Sequence, residues 1–250
     1  MFEWFLAMAE PVCTQARDQL AKLAFPRTST HDLSLRFYPR SDLKSAFTKD
    51  AINSILSCLC ARCINHLSYI GQSHLADSAR RERPSDFTER VLGRNSAHSA
   101  IALFALLVHC GYPIFIIRFL ERDLNDVTTI ESYCRQERNI SARDLEINHW
   151  PEFRTLHSFL SGQLAEMFIG AMHQFAPPVM EGRDHAVYGN RRIMPFFEEE
   201  RLGRGTFGDV FGFKIHHDYL QLPVSSCSKP LEALLTIIAL GTVKYRKFCT

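Results

Sequence analysis

The chain has 250 residues, 46% of them hydrophobic and 22% charged, enough for one large domain or two small ones and a sizeable core. The formal net charge of +2 gives no basic field of the kind that argues for nucleic acid. Eight cysteines are too few for a disulfide scaffold of this length.

Met1-Phe2-Glu3-Trp4-Phe5-Leu6 lacks a positive leader, so no secretory signal is expected, and reduced thiols in an intracellular, cytoplasmic setting are the default. Phe5, Met8, Ala9, Val12, Ala16, Leu20 and Leu23 recur at helical spacing and predict an amphipathic helix over residues 2–24, stopped by Pro26. A polar connector follows to Arg40, with Phe37-Tyr38-Pro39 expected to dock on the core, and Ser41-Asp42 reads as a helix start. A second helix is predicted over 50–70, with Ile52, Ile55, Leu56, Leu59, Cys63, Ile64 and Leu67 on one face and Gly71 at its end.

Cys58, Cys60, Cys63 and His66 lie inside that helix. Zinc takes thiolate and imidazole ligands, but on one helix Cys58 and Cys60 point about 200° apart. No second C-x-x-C pair completes a ligand set. The expectation is therefore core cysteines and no metal site. Residues 72–94 are polar, with Pro84 and the basic cluster Arg80, Arg81, Arg83, Arg90 and Arg94 interleaved with acids, and read as a solvated linker. The apolar run 100–117 is broken by Gly111 and Pro113, so it predicts two buried helices, about 95–110 and 113–121, in place of a membrane hairpin.

Residues 122–150 are charged and weakly periodic. Trp150-Pro151 opens a predicted helix over 151–174 with Phe153, Leu156, Phe159, Leu160, Leu164, Met167, Phe168 and Met172 as its apolar positions and Pro177-Pro178 as its stop. His149, His157 and His173 read as core or surface histidines. The domains are accordingly 1–71, N-terminal helices; 72–94, linker; 95–178, helical domain; 193–223, hairpin; and 224–250, an atypical tail. The fold class is mainly α, closing with a β-hairpin and a short C-terminal helix over 231–240. That tail run is too short to span a membrane.

The hairpin carries the most specific motif. Ile193 to Leu202 reads as strand, Leu202-Gly203-Arg204-Gly205-Thr206-Phe207-Gly208-Asp209-Val210 as a glycine turn, and Val210 to Ile215 as a strand of period two. A dinucleotide fingerprint needs a helix after G-x-G-x-x-G. With a strand there instead, the stretch resembles the glycine-rich loop of protein kinases, G-x-G-x-x-G-x-V between the first two strands of the small lobe. With Phe168, Phe175-Ala176-Pro177 and Met194-Pro195-Phe196-Phe197 upstream, residues 95–223 look like the helical extension and kinase start of a group of filamentous-fungal protein kinases.

The resemblance implies ATP and magnesium as cofactors and serine/threonine-type phosphoryl transfer. It places Leu202 and Val210 on the adenine, lets Gly203, Gly205 and Gly208 close the loop over the phosphates, sets Phe207 at the tip, and brings backbone N–H groups near Thr206 onto the phosphates. The chain departs from the pattern after Pro223. It has no V-A-I-K-like lysine, no H-R-D with its asparagine and no D-F-G, and Lys229 sits beside Pro230. Catalytic residues are therefore none, and the tail reads as the product of a truncation or a misread coding boundary. Three function classes stay open: a truncated, inactive protein-kinase-family member; a helical interaction or regulatory module with a protein partner and a vestigial loop; and a membrane-associated helical protein using 100–117. The primary reading expects neither nucleic acid nor membrane as partner.

Overall fold

A computed structural model describes residues 10–25, 36–69, 85–93, 99–135, 160, 162–181, 193–205, 208–221 and 234–237. The chain divides into two compact units, one of residues 1–176 and 188–193, the other of 177–187 and 194–250. The fold is mainly helical with small sheets.

In the first unit the helices among the described residues are α1 (Val12–Lys22), α2 (Arg40–Ala46), α3 (Lys49–Leu56), α4 (Ala61–Tyr69), α5 (Ser85–Leu92), α6 (Ile101–His109), α7 (Ile116–Leu120), α8 (Ser132–Arg135) and α9 (Gly162–Phe175). A 3-10 turn, Pro113–Phe115, leads into α7, and a π-helical turn, Val127–Glu131, leads into α8. The organising element is α6. Ile101 to Val108 are all buried, and α1, α2, α5, α7 and α9 pack around it. A helix apolar on every face has to sit inside a protein or a bilayer, and nine residues are too few for a bilayer. Among the described residues no helix is long and apolar enough to cross a membrane.

Both ends of α6 are closed by specific groups. At its start Ile101 N–H donates to Ser99 Oγ, and the Asp126 carboxylate accepts from Ala102 N at 3.2 Å and Leu103 N at 2.8 Å. These are first-turn donors that the helix itself leaves unsatisfied. At its end Gly111 has φ 81°, Gly111 N donates to the Val108 carbonyl, and Tyr112 N donates to the Leu107 carbonyl. This is the Schellman arrangement, and the glycine supplies the left-handed φ without a Cβ penalty. The predicted break at Gly111 and Pro113 is therefore present, with buried segments on either side.

Other expectations need correction. The predicted helix 50–70 is two helices, because α3 ends at Leu56 and α4 begins at Ala61. Ser57 ends α3 with its N–H on the Asn53 and Ile55 carbonyls. The break leaves Leu59 and Ile64, expected on the apolar face, exposed. Ile52, Ile55, Leu56 and Cys63 are buried as expected, while Leu67 lies outside the described side chains.

The segment read as linker contains α5, whose Thr88 and Val91 are buried. Thr88 donates to Asn53 of α3, and Arg90, read as part of a solvated cluster, donates to the Leu120 carbonyl and to Asp123 at 2.9 Å. Helices before residue 71 and after residue 95 thus share one core. In α1, Ala16 and Leu20 are buried and Val12 is exposed. In α9, Leu164, Phe168 and Met172 are buried and Met167 is exposed. Phe37, Tyr38 and Pro39 are buried, with the Tyr38 ring stacked on Phe175 at 4.4 Å. Residues 1–9, 136–159 and the turns at 182–190 fall outside the description, including Phe5, Met8, Ala9, Phe153, Leu156, Phe159, His149 and His157.

In the second unit β1 (Met180–Glu181) pairs in parallel with β4 (Leu220–Gln221). The strands β2 (Phe196–Gly205), β3 (Gly208–Ile215) and β5 (Leu234–Ile237) form an antiparallel sheet in the order β2-β3-β5. The predicted C-terminal helix over 231–240 is corrected by β5, which pairs Leu234 to Ile237 with Lys214 to Phe211. A short apolar run does not by itself separate helix from strand, and pairing with the edge of β3 decides it.

Candidate functional site

The glycine stretch folds as a hairpin. Gly205 pairs with Gly208, Arg204 with Asp209 and Gly203 with Val210, so both strands run through the motif. The glycines expected in a turn thus lie within paired strands, and Thr206 and Phe207 lie outside the described residues. Register irregularities fall between Phe197 and Glu200 and between Arg201 and Gly203. Such bulges bend a strand and increase its local twist.

Gly203 is exposed, and a Cβ built on it would meet nothing within 4 Å. Bare backbone at that point leaves room for an anion to approach N–H groups. At the base of the hairpin, His216 N–H donates to the Pro195 carbonyl, and Ile215, His216 and Tyr219 are buried. The side chains of Leu202 and Val210 are not described.

A second constellation lies in the helical unit. The sulfurs of Cys13, Cys58, Cys60 and Cys63 all lie within 4.8 Å of one another. The break between α3 and α4 brings this about. Cys58 and Cys60 sit on the connection, Cys63 is on the first turn of α4, and Cys13 comes from the buried face of α1. One helix cannot aim these thiols at one point, but they are not on one helix.

Cys13 Sγ is 3.6 Å from Cys60 Sγ, far beyond a disulfide bond, and Cys63 N–H donates to Cys60 Sγ at 3.5 Å. Burial pushes the Cys13 thiol up to about 11 and the Cys63 thiol up as well. Burial also raises Cys60, but the Cys63 N–H and the neighbouring thiols more than offset this and leave it below the ordinary cysteine value. His66, considered beside these cysteines in the sequence, is elsewhere: its ring stacks on Tyr112 at 4.4 Å and meets Phe115 edge-on. Cys13 is the member that the sequence pattern did not reveal. Only the compact Cys58-x-Cys60-x-x-Cys63 spacing signals the cluster, and its fourth member arrives by tertiary packing.

His216, His217 and Asp218 also converge. His216 Nδ1 accepts the Asp218 N–H and so caps the 3-10 turn His217–Tyr219, and His217 Nε2 lies 3.2 Å from Asp218 Oδ1. These contacts serve the turn that follows β3. Compared with known proteins, the chain matches no family model, no curated protein and no solved structure.

Proposed function

We propose that the chain is a protein-kinase-family member whose β2–β3 hairpin is a glycine-rich phosphate loop, and that it transfers no phosphate by itself. The observation that supports this reading is the strand pairing through the motif. One strand runs through Gly203 to Gly205, and its antiparallel partner starts at Gly208 and runs through Val210. Kinase-type loops require strand–turn–strand, whereas dinucleotide sites require strand–turn–helix. In this reading Leu202 and Val210 stand at the positions that hold adenine in a complete kinase, the three glycines and Thr206 at those over the phosphates, and Phe207 at the one that covers them; the hairpin alone is not expected to retain the nucleotide.

ATP–magnesium would be the ligand, but the 250 residues supply neither the magnesium ligands nor the base of phosphoryl transfer. The third strand, β5, reads Leu-Leu-Thr-Ile and carries no lysine. The contiguous core among the described helices favours a second reading, in which the helical unit is an interaction module and the loop is vestigial.

Two measurements test these readings. Millimolar magnesium–ATP is expected to leave the melting temperature of the chain unchanged and labelled phosphate untransferred, since a bound ligand must stabilise by mass action. Transfer by this chain would overturn the inactive assignment. Message sequence beyond the codon for Pro223 is expected to encode a V-A-I-K-like strand, H-R-D and D-F-G in some frame. Their absence from every frame would remove the kinase assignment and leave the interaction module.

A further inference from the structure

We propose that Cys13, Cys58, Cys60 and Cys63 form a closed tetrathiolate site for one zinc ion, which clamps α1 to the α3–α4 junction. The inference is independent of the hairpin. It rests on four features of the cluster.

The first is ligand number and type: among the described residues the cluster is four thiols, the set that soft, tetrahedral zinc favours in structural sites. The second is size. With zinc–sulfur bonds of about 2.3 Å, the edges of a tetrahedral tetrathiolate are about 3.8 Å. The Cys13–Cys60 separation is 3.6 Å, and no pair exceeds 4.8 Å. The spread of the sulfurs is therefore that of a mononuclear site, whereas a multi-iron cluster would need them further apart.

The third feature is the Cys63 N–H donated to Cys60 Sγ. Backbone N–H donors of this kind stabilise thiolate ligands and fix their orientation. It arises here because Cys60-Ala61-Arg62-Cys63 wraps the start of α4. The fourth is access. Cys13, Cys58 and Cys63 are buried and Cys60 is half-buried, so the site opens to solvent at one corner only.

Loading zinc displaces four thiol protons to solvent and forms four sulfur–zinc bonds, leaving a complex with two negative charges. Two cations stand close by in the chain: Arg17 lies one turn beyond Cys13 on α1, and Arg62 adjoins Cys63. Both guanidinium groups converge beside Gly111. With all four positions taken by protein, no site remains for water or substrate, so the role is structural.

The test uses the full chain, purified without chelator and without a metal-binding tag. Elemental analysis is expected to give one zinc per chain, lost in Cys58→Ser and Cys63→Ser and kept in Cys134→Ser. Cobalt added after zinc removal is expected to give the intense visible bands of tetrahedral cobalt with thiolate charge transfer, and Cys13→Ser is expected to change them. Should a serine variant fail to fold, the wild-type chain decides: a zinc chelator is expected to lower its melting temperature, and zinc is expected to restore it. A folded wild-type chain without zinc and without cobalt bands would overturn the proposal. So would an unchanged cobalt spectrum in folded Cys13→Ser, stoichiometric iron with inorganic sulfide, or a Cys13–Cys60 disulfide in the freshly purified chain.

Discussion

Asp126 is held half-buried with both carboxylate oxygens on the first turn of α6. Burial pushes its carboxyl up to about 7, against the pull of the two N–H donors and of Arg40. The direction fixes the pH dependence. Between roughly pH 4 and pH 7 the folded chain keeps a proton that the unfolded chain has released, so this group stabilises fully below that window and loses its contribution as pH rises through it. His66 and His109 act oppositely, since burial lowers both and their protonation opposes folding at acid pH. The clean measurement is therefore a difference: between about pH 5 and about pH 7.5, urea midpoints should fall more for the wild type than for Asp126→Asn.

Glycines give a second contrast at this scale. Gly111→Ala forces a left-handed φ on a Cβ that would stand 3.4 Å from the Arg62 guanidinium. It should cost roughly 1–2 kcal/mol in chemical denaturation. Gly203→Ala enters open space and should leave stability within about 0.5 kcal/mol of wild type. It therefore alters the proposed phosphate cradle without disturbing the fold.

Among the elements, α6 and α3 make the sharpest expectations. Phe104, fully buried, meets Phe47 edge-on at 5.3 Å. Phe104→Ala should remove about 3–5 kcal/mol of unfolding free energy. Thr48 caps α3, its side chain accepting from Ala51 N. Thr48→Ala should cost about 1 kcal/mol by the same measurement.

The same elements explain what could be seen beforehand. Uniform apolarity made α6 legible, and Gly111 with Pro113 marked its end. The break between α3 and α4 carries neither glycine nor proline, so periodicity ran straight through it and hid the geometry of three cysteines. In α5 the signal was present, with Pro84 before Ser85 and Phe87, Thr88 and Val91 at helical spacing, but the surrounding charge masked it. The conformation of β5 depends on a partner strand, which a local pattern of four residues does not contain.

At the scale of the molecule, the contiguous apolar core draws all its members from residues 13–176. A chain ending at residue 193 should therefore melt cooperatively by circular dichroism with little change in midpoint. A broad, non-cooperative transition would show that residues 194–250 are needed to complete that core. The strand order of the second unit was less accessible to sequence than its first hairpin, because β5 and the β1–β4 pair join segments distant in the chain. Cys13 meets residues 58–63 in the same way, through a contact that only tertiary packing creates.

The start of α6 has a consequence for how the chain is made. A ribosome releases residues in order, and α6 emerges more than fifteen positions before the carboxylate that completes its first turn. Until Asp126 arrives, a nine-residue helix whose first eight residues are all apolar has neither a finished start nor a full set of neighbours, and helices that short do not persist alone in water. The nascent chain therefore passes through an interval in which its stickiest segment is bare. Slowing the emergence of residues 110–126, or withholding chaperones during that interval, would be felt as lower soluble yield, with no change in the stability of the molecules that finish.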